Sequence, residues 1–187
     1  MPLEETLLAF DNLVQRGLVR YVGASNYTAW RLMKAIDISD AGGLARYDSL
    51  QPNYSLARRS EFERELEPLC LEEGVGVIPY SPLAAGFLTG KYRRDQEIPN
   101  SARAENVRSR YMHEQGFALL DCLDEIAGQI GATTAQIALA WLLARPSITS
   151  PIIGANTPDQ WRELAGAVDI QLSAEDIAAL DEASAWA

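Results

Sequence analysis

The sequence is poor in histidine and cysteine, which leaves little material for a metal site. It has one histidine and two cysteines in 187 residues. Cys70 and Cys122 are far apart and form no CxxC or Cys/His pattern, so neither a zinc site nor a disulfide framework is predicted. We interpret both as buried thiols in a reducing compartment, which favours a cytoplasmic protein. His113 is the single histidine of the sequence, which gives no basis for a Ser/His/Asp or Cys/His catalytic group.

Long apolar runs and an excess of positive charge are also missing. No stretch reaches the roughly 18 apolar residues that a membrane span needs, and no secretion signal is visible. The 16 Lys and Arg against 26 Asp and Glu give a formal charge of −10. Nucleic-acid binding needs clustered cations, so we expect neither nucleic acid nor membrane as partner. A small anionic ligand is compatible, because backbone N–H groups and a few local cations suffice to bind it.

The remaining composition is that of a globular protein, with 48% hydrophobic and 22% charged residues. Short β-branched runs predict four strands, over residues 19–24, 47–54, 75–80 and 150–155. Helical periodicity and capping patterns predict helices over residues 3–17, 28–38, 60–73, 111–130, 134–144 and 157–168 and from residue 173. Strands that alternate with helices indicate a parallel sheet with right-handed crossovers in a single domain. Residues 81–110 read as a long loop, which is usually functional or mobile.

Four strands are too few for a closed (β/α)₈ barrel, which needs eight strands and typically about 250 residues. Parallel sheets are normally covered on both faces, and four strands leave two edges open. The sequence therefore predicts either an independent open α/β sandwich or half of a barrel.

Four segments carry a resemblance to one family. Val19–Asn26 (VRYVGASN) resembles the fifth-strand motif of the aldo-keto reductases, and Gln51–Tyr54 (QPNY) resembles the sixth. Ile78–Tyr92 is similar to the seventh strand and cofactor loop, and Pro151–Gln160 to the eighth strand and phosphate-binding turn. The resemblance spans the whole chain in order. It implies an α/β fold, a partial (β/α)₈ TIM barrel of about four parallel strands with flanking helices, with residues 1–187 as one partial domain.

The same resemblance implies a chemistry and its limits. Aldo-keto reductases are oxidoreductases that transfer a hydride between NADP(H) and an aldehyde or ketone. The family's catalytic Asp, Tyr, Lys and His lie on its first four strands, which have no counterpart here. His113 and Tyr80 do not match those positions, so no catalytic residue is assigned and the chain looks truncated. Whether it acts as an enzyme is left open at this point.

The resemblance also implies a nicotinamide site at the strand ends. Ser25, Asn26 and Gln51 would hydrogen-bond the nicotinamide carboxamide, for which Asn and Gln offer both donor and acceptor. Tyr80 would stack on the nicotinamide ring. The alternatives are a helix N-cap for Ser25 and Asn26 and core packing for Tyr80.

The loop after the third strand would hold the pyrophosphate. Ser81, Pro82, Leu83 and Gly86 would let backbone N–H groups approach it, and Lys91 would supply charge. The alternative is a plain surface loop with a solvated lysine.

A local group of arginines stands out in this acidic chain. Arg103 is assigned to an NADP 2′-phosphate because its planar fork matches phosphate oxygens. It lies near four others in sequence, Arg93, Arg94, Arg108 and Arg110. The alternative is a solvated charged loop.

The last strand-to-helix turn would hold the adenosine end of the cofactor. Gly154, Asn156 and Gln160 lie where free N–H groups at a helix start attract an anion. Glu163 fits the family's adenine contact, and Leu164 stands where many relatives have Asn. The alternative is simple helix capping.

Two functions stay open from the sequence. The first is the cofactor-binding half of a carbonyl reductase, inactive alone. The second is a non-catalytic nucleotide-binding or regulatory half-barrel that pairs with itself as a homodimer or with a complementary N-terminal half. In both cases we expect an exposed apolar barrel interior and, as a consequence, marginal stability or self-association.

Overall fold

A computed structural model describes residues 2–98 and 103–187 of the chain. Its strands are β1 Val22–Ser25, β2 Tyr47–Gln51 and β3 Gly76–Val77. Its helices are α1 Leu3–Gln15, α2 Ala29–Gly42, α3 Ser60–Glu63, α4 Leu66–Glu73, α5 Ala104–Tyr111, α6 Glu114–Ile130, α7 Thr134–Leu143, α8 Pro158–Ala165 and α9 Ala174–Ala183. Two 3₁₀ segments, Ala84–Thr89 and Gly166–Asp169, complete the described elements.

The three strands form one parallel sheet in the order β1-β2-β3. Helix α2 connects β1 to β2, and α3 and α4 connect β2 to β3, as parallel pairing requires. In register, Ser25 lies opposite Gln51, and Leu50 lies opposite Val77. The fold is thus α/β with flanking helices, consistent with a partial barrel.

The strand predicted over residues 150–155 does not form. Ile148 makes an isolated parallel bridge to β3, and the N–H of Ile152 donates to the carbonyl of Pro79 at 2.8 Å. The segment therefore runs beside the sheet. Pro79 and Pro151 each lack an N–H group, so a continuous ladder cannot extend between these two segments.

The single helix predicted over residues 60–73 is also wrong, because the structure has the separate helices α3 and α4. Ser60 and Glu63 have the spacing of a capping box, which predicts a helix start at Ser60, but no such box forms and Arg59 occupies the N-cap position of α3. The Glu63 carboxylate is instead held by Nε of Arg59 at 2.8 Å and by the hydroxyl of Tyr54 at 2.7 Å. Side chains that precede α3 thus bind the Glu63 carboxylate, which does not cap the Ser60 backbone N–H.

The predicted long loop contains regular structure at both ends. The 3₁₀ segment follows β3 closely, and α5 occupies residues that the pattern had left irregular. The helix predicted from residue 111 starts at Glu114, because the His113 side chain caps it. Nδ1 of His113 accepts a hydrogen bond from the N–H of Gly116 at 3.2 Å. The predicted helix over 134–144 is confirmed as α7.

The two faces of the sheet differ. Ala24, Leu50 and Val77 lie in register on one face, and all three are buried in the core. On the other face the matching row is Gly23, Ser49 and Gly76. Gly23 is exposed, and a Cβ there would collide with the Ser49 hydroxyl. The expectation of an apolar open face is therefore wrong along this row, whose residues are small or polar.

A half-buried ionic cluster ties α9 to the rest of the fold. It consists of Arg59, Glu63, Arg145 and Asp181 arranged around Trp141. The two guanidinium carbons lie 5.3 and 4.5 Å from the centre of the Trp141 ring, for Arg59 and Arg145 respectively. Nε1 of Trp141 donates to Asp181 at 3.0 Å. Because Trp141 is fully buried, the cluster anchors the last helix against the core.

Both cysteines are free, and Cys70 is buried while Cys122 is half-buried. Burial raises the pKa of the Cys70 thiol to about 11. Among the described residues no single helix is long and apolar enough to span a bilayer. Helices α6 and α7 together reach that length and composition, but they are bent by 93° at the break between them.

Candidate functional site

Four predicted site residues meet at the carboxyl end of the sheet. Ser25 and Gln51 end β1 and β2, and Asn26 follows Ser25 directly. The N–H of Tyr80 donates to the carbonyl of Pro52 at 2.9 Å, which extends the parallel alignment beyond β3. We call Ser25, Asn26, Gln51 and Tyr80 the carboxyl-end cluster. Ligands of parallel α/β folds bind at this edge.

A hydrogen-bond chain runs through the carboxyl-end cluster. The Tyr80 hydroxyl donates to Oδ1 of Asn26 at 2.9 Å, and Nδ2 of Asn26 donates to Oγ of Ser25 at 3.1 Å. The Ser25 hydroxyl donates to the backbone carbonyl of Gln51 at 3.1 Å, which also accepts the N–H of Asn26 at 3.3 Å. The ends of β1 and β2 and the segment after β3 are thereby joined, with β2 contributing the backbone carbonyl of Gln51.

The backbone turns sharply at this edge. Asn26 and Ser81 both have φ of +56°, a left-handed conformation that is uncommon for non-glycine residues. Asn tolerates it because its short amide hydrogen-bonds locally. The turn at Asn26 directs its side chain back over the strand ends, where Tyr80 contacts it.

The carboxyl-end cluster keeps hydrogen-bonding capacity free. The half-buried Gln51 amide has no hydrogen-bond partner within residues 2–98 and 103–187, and Asn26 uses one of its two N–H groups in the chain just described. Ser25 and Asn26 are exposed, and Tyr80 is half-buried. Free donors and acceptors beside an aromatic ring suit a planar primary carboxamide, so the residues present fit a nicotinamide. The described residues contain no His, Cys, Asp and Glu group able to hold a metal ion.

The loop after Tyr80 is tightly wound. Gly86 has φ of +96°, and a Cβ there would approach Nζ of Lys91 at 3.1 Å. Lys91 is exposed, so its ammonium lies over the Gly86 backbone and faces solvent. Ser81 is exposed, whereas Pro82 is buried. A glycine beside a solvated cation is compatible with a phosphate.

The turn before α8 approaches the same loop. Leu83 and Ile153 pack on a small apolar cluster formed by Ala135, Leu139, Leu164 and Ala167. This contact brings the loop after β3 and the segment leading to α8 to one side of α7. Leu164, for which the resemblance implied a departure from a common Asn, is therefore a packing residue.

The predicted residues of α8 are exposed and locally bonded. Gly154, Asn156, Gln160 and Glu163 all lie on the surface. The Gln160 side chain accepts the N–H of Asn156 at 2.9 Å, and Thr157 caps the helix by accepting the N–H of Gln160. Helix capping thus occurs as the alternative interpretation expected, and an anion would have to displace the Gln160 side chain to reach the Asn156 N–H.

The arginine group divides in the structure. Arg94 pairs with Glu114 and Asp121 of α6, each at 2.7 Å, and Arg93 pairs with Asp124. Arg103 is exposed at the N-cap of α5, and its side chain forms no ion pair with a described residue. Arg93 and Arg94 are therefore bound to α6, and the assignment of Arg103 stays a prediction.

Sequence reasoning missed a cleft of about 330 Å³ next to the carboxyl-end cluster. Asn26 and Tyr80 line it on one side, and Asn53, Arg58 and Glu61 line it on another. Nη2 of Arg58 contacts Glu61 at 2.7 Å, while its buried Nε has no partner among the described residues. The i,i+3 spacing of Arg58 and Glu61 was the only signal in the sequence, and it also fits an ordinary surface pair.

Comparison with known proteins assigns the family. The sequence model of the aldo/keto reductase family matches residues 1–185. The chain therefore belongs to the aldo/keto reductase family, as its four segments predicted.

Individual relatives carry different names. The chain is 36% identical to versiconal hemiacetal acetate reductase of Aspergillus parasiticus, with 97% of this chain and 53% of that protein aligned. It is 35% identical to a putative voltage-gated potassium channel subunit beta of Schizosaccharomyces pombe, over 97% and 55%. It is 36% identical to an aldo-keto reductase of Fusarium vanettenii, over 97% and 49%. The chain thus spans about half the length of the curated relatives it matches.

Proposed function

We propose that this chain is the NADP(H)-binding half of an aldo-keto oxidoreductase that reduces aldehydes or ketones to alcohols. It would supply strands five to eight of the (β/α)₈ barrel. The observation that carries the proposal is the carboxyl-end cluster, which joins three sequence-distant segments and leaves amide groups free at the edge where parallel α/β folds bind ligands.

The carboxyl-end cluster would hold the nicotinamide. The Gln51 amide and the spare valences of Asn26 and Ser25 would bond the carboxamide, which has one acceptor and two donor hydrogens. The Tyr80 ring would cover one face of the nicotinamide and leave the other toward the substrate. Bound NADPH supplies the hydride, and the residues of this chain fix which ring face and which edge are presented.

Separate groups would hold the phosphates and the adenosine. The backbone of Ser81–Gly86 with Lys91 would receive the pyrophosphate, since small residues allow close approach and the lysine adds charge. Arg103 and the turn at Gly154 and Asn156 would receive the 2′-phosphate, with Gln160 and Glu163 beside the adenosine. Their exposure supports this assignment, as does the lack of an ion pair between Arg103 and any residue in 2–98 or 103–187.

We propose that the 187-residue chain does not turn over a carbonyl substrate by itself. The family's catalytic Asp, Tyr, Lys and His have no matching positions in it. General acid catalysis typically contributes 10²- to 10⁴-fold, so hydride transfer without the proton donor would be slow. A complementary N-terminal half, or the remainder of a longer protein, would complete the site. The free thiols suit a reducing compartment such as the cytoplasm.

A binding titration tests the proposal. NADPH fluorescence is followed as the purified chain is added, for wild type and for Asn26→Gly combined with Tyr80→Ala. We expect saturable binding that weakens at least about tenfold in the double variant, because it loses both the amide and the ring. Tyr21→Phe, at an exposed tyrosine, is the matched control and should bind as wild type does. Absence of saturable binding by wild type contradicts the proposal.

A non-catalytic regulatory half-barrel is the second candidate. It is favoured by relatives named as channel beta subunits, among them a protein of Arabidopsis thaliana at 33% identity over 90% of this chain. Adding a purified N-terminal half of an aldo-keto reductase separates the two. Recovery of NADPH-dependent carbonyl reduction supports the enzyme half, whereas a stable complex that binds NADPH without turnover supports the regulatory module.

A further inference from the structure

We propose that Tyr80 is a positioning residue whose hydroxyl fixes the orientation of the Asn26 amide toward the nucleotide. This inference rests on the proposed function and deepens it. In that function Tyr80 contributes its ring. The structure gives its hydroxyl a second and separable task, which acts through Asn26.

The backbone carbonyl of Gln51, at one end of the hydrogen-bond chain, determines which group donates at each step. The backbone carbonyl of Gln51 can only accept, so the Ser25 hydroxyl at 3.1 Å must donate to it. The hydroxyl hydrogen of Ser25 is thereby used, and its oxygen can only accept from Asn26. The group of Asn26 that lies 3.1 Å from Ser25 must therefore be Nδ2.

The Oδ1 side of the Asn26 amide is determined in the same way. With Nδ2 on Ser25, Oδ1 of Asn26 faces Tyr80, and the Tyr80 hydroxyl at 2.9 Å must donate. If the Asn26 amide were flipped, Oδ1 would face the Ser25 oxygen, which has no hydrogen left to donate. The Tyr80 hydroxyl could still adapt by accepting from Nδ2, but the conflict between two acceptors at Ser25 would remain. Tyr80 and Ser25 thus hold the two ends of one amide.

This orientation determines what a ligand meets. One N–H of Nδ2 and one lone pair of Oδ1 stay free, in a known order along the strand ends. The Tyr80 oxygen also keeps its lone pairs for accepting. A primary carboxamide, with an oxygen acceptor beside an amine donor, can match this order in one pose. Loss of the Tyr80 hydroxyl would leave the Asn26 amide held at one end only, at an exposed position.

The test separates the hydroxyl from the ring. Tyr80→Phe keeps an aromatic face and removes the hydroxyl, and Tyr21→Phe makes the same chemical change at an exposed tyrosine. Dissociation constants are measured for NADPH and for 2′,5′-ADP, which keeps the adenosine, its 2′-phosphate and one 5′-phosphate and lacks the nicotinamide. We expect Tyr80→Phe to weaken NADPH by about 3- to 12-fold, the value of one hydrogen bond, and to leave 2′,5′-ADP unchanged. Tyr21→Phe should change neither.

Two further variants show that the hydroxyl acts through Asn26. Asn26→Gly accepts the positive φ without strain, and in that background Tyr80→Phe should have no further effect on NADPH. Asn26→Asp puts a second acceptor against the Ser25 oxygen and should weaken NADPH more than Tyr80→Phe does. Melting temperatures of all variants are recorded, to check that each remains folded.

The outcomes distinguish the two claims. If wild type fails to bind NADPH, the proposed function is overturned and the inference falls with it. If wild type binds and Tyr80→Phe binds equally well, only the inference is overturned. Equal weakening of NADPH and 2′,5′-ADP by Tyr80→Phe also overturns it, because a general structural role affects both ligands.

Discussion

The ionic cluster and the carboxyl-end cluster differ in what they leave unbonded. In the ionic cluster the Glu63 carboxylate accepts from Arg59, Arg145 and Tyr54 at 2.7–3.0 Å. In the carboxyl-end cluster the Gln51 amide has no hydrogen-bond partner among the described residues, and the Asn26 amide uses one of its two N–H groups. A saturated cluster fixes the fold, whereas an unsaturated one at the strand ends is available to a ligand.

The ionic cluster is also more buried than the carboxyl-end cluster. The four side chains of the ionic cluster are 13–32% exposed and enclose a fully buried Trp141. Ser25 and Asn26 are exposed. Removing a partner from the ionic cluster leaves a poorly hydrated charge, so the free energy of unfolding should fall. Removing one from the second leaves a solvated group, so the cost should appear as binding.

The largest expected effect comes from the centre of the ionic cluster. Trp141→Ala should lower the free energy of unfolding by about 3–5 kcal/mol, because it leaves a large cavity between two guanidinium groups. Urea unfolding followed by circular dichroism measures it. Trp161→Ala, at a tryptophan that is 58% exposed, is the matched control and should cost well under half as much. Equal costs at the two positions would contradict the distinction drawn between the clusters.

A smaller loss is expected from Glu63→Gln. The substitution keeps the shape but leaves Arg59 and Arg145 short of a carboxylate, so we expect about 2 kcal/mol, below the cost of breaking a fully buried pair. Asp159→Asn breaks the exposed pair with Arg162 and should cost at most about 0.5 kcal/mol. If Glu63→Gln were as mild as its control in urea unfolding, the ionic cluster would not anchor α9.

Acid should weaken the ionic cluster selectively. Burial acts to raise the pKa of Glu63, but hydrogen bonds from Arg59, Tyr54 and Arg145 outweigh it and leave that pKa below its ordinary value. A lowered carboxyl pKa contributes stability above the unfolded value, near 4.3, and that contribution is lost as the pH falls through the folded value. Melting temperatures between about pH 6 and pH 3 should fall less steeply in Glu63→Gln, and parallel curves would refute this.

The smallest change in stability is expected at the carboxyl-end cluster. Gln51→Ala should alter the free energy of unfolding by less than about 0.5 kcal/mol, because the Gln51 amide has no hydrogen-bond partner among the described residues. The same variant should weaken NADPH binding about 3- to 12-fold. Chemical unfolding and the fluorescence titration measure the two effects. A large loss of stability with unchanged binding would reverse the roles of the two clusters.

Local patterns predicted much of the fold. The helical periodicity of residues 3–14 and the capping of α8 by Thr157 rest on neighbours in sequence, and both appear in the structure. The single helix over 60–73 was wrong because the partners of Glu63 include Tyr54 and Arg145, which local spacing cannot reveal. The missing fourth strand follows from where two prolines meet across the sheet, a property of register.

The site was predicted unevenly for the same reason. The resemblance to aldo-keto reductases singled out Ser25, Asn26, Gln51 and Tyr80, and the structure brings these four together. The donor order that joins them depends on distances between side chains on different strands. Arg58 escaped notice, because its place in the cleft depends on how α3 packs beside the strand ends.

The most direct test of the account is the response of the chain's amide NMR signals to NADPH. We predict that saturating NADPH shifts the backbone amide signals of Ser25, Asn26, Gln51 and Tyr80. The side-chain amide signal of Gln51 should shift as well. The amides of the ionic cluster, such as that of Glu63, should stay in place. Shifts that spare the carboxyl-end cluster, or no shifts at concentrations that saturate related reductases, would contradict the claim that this edge holds the nicotinamide.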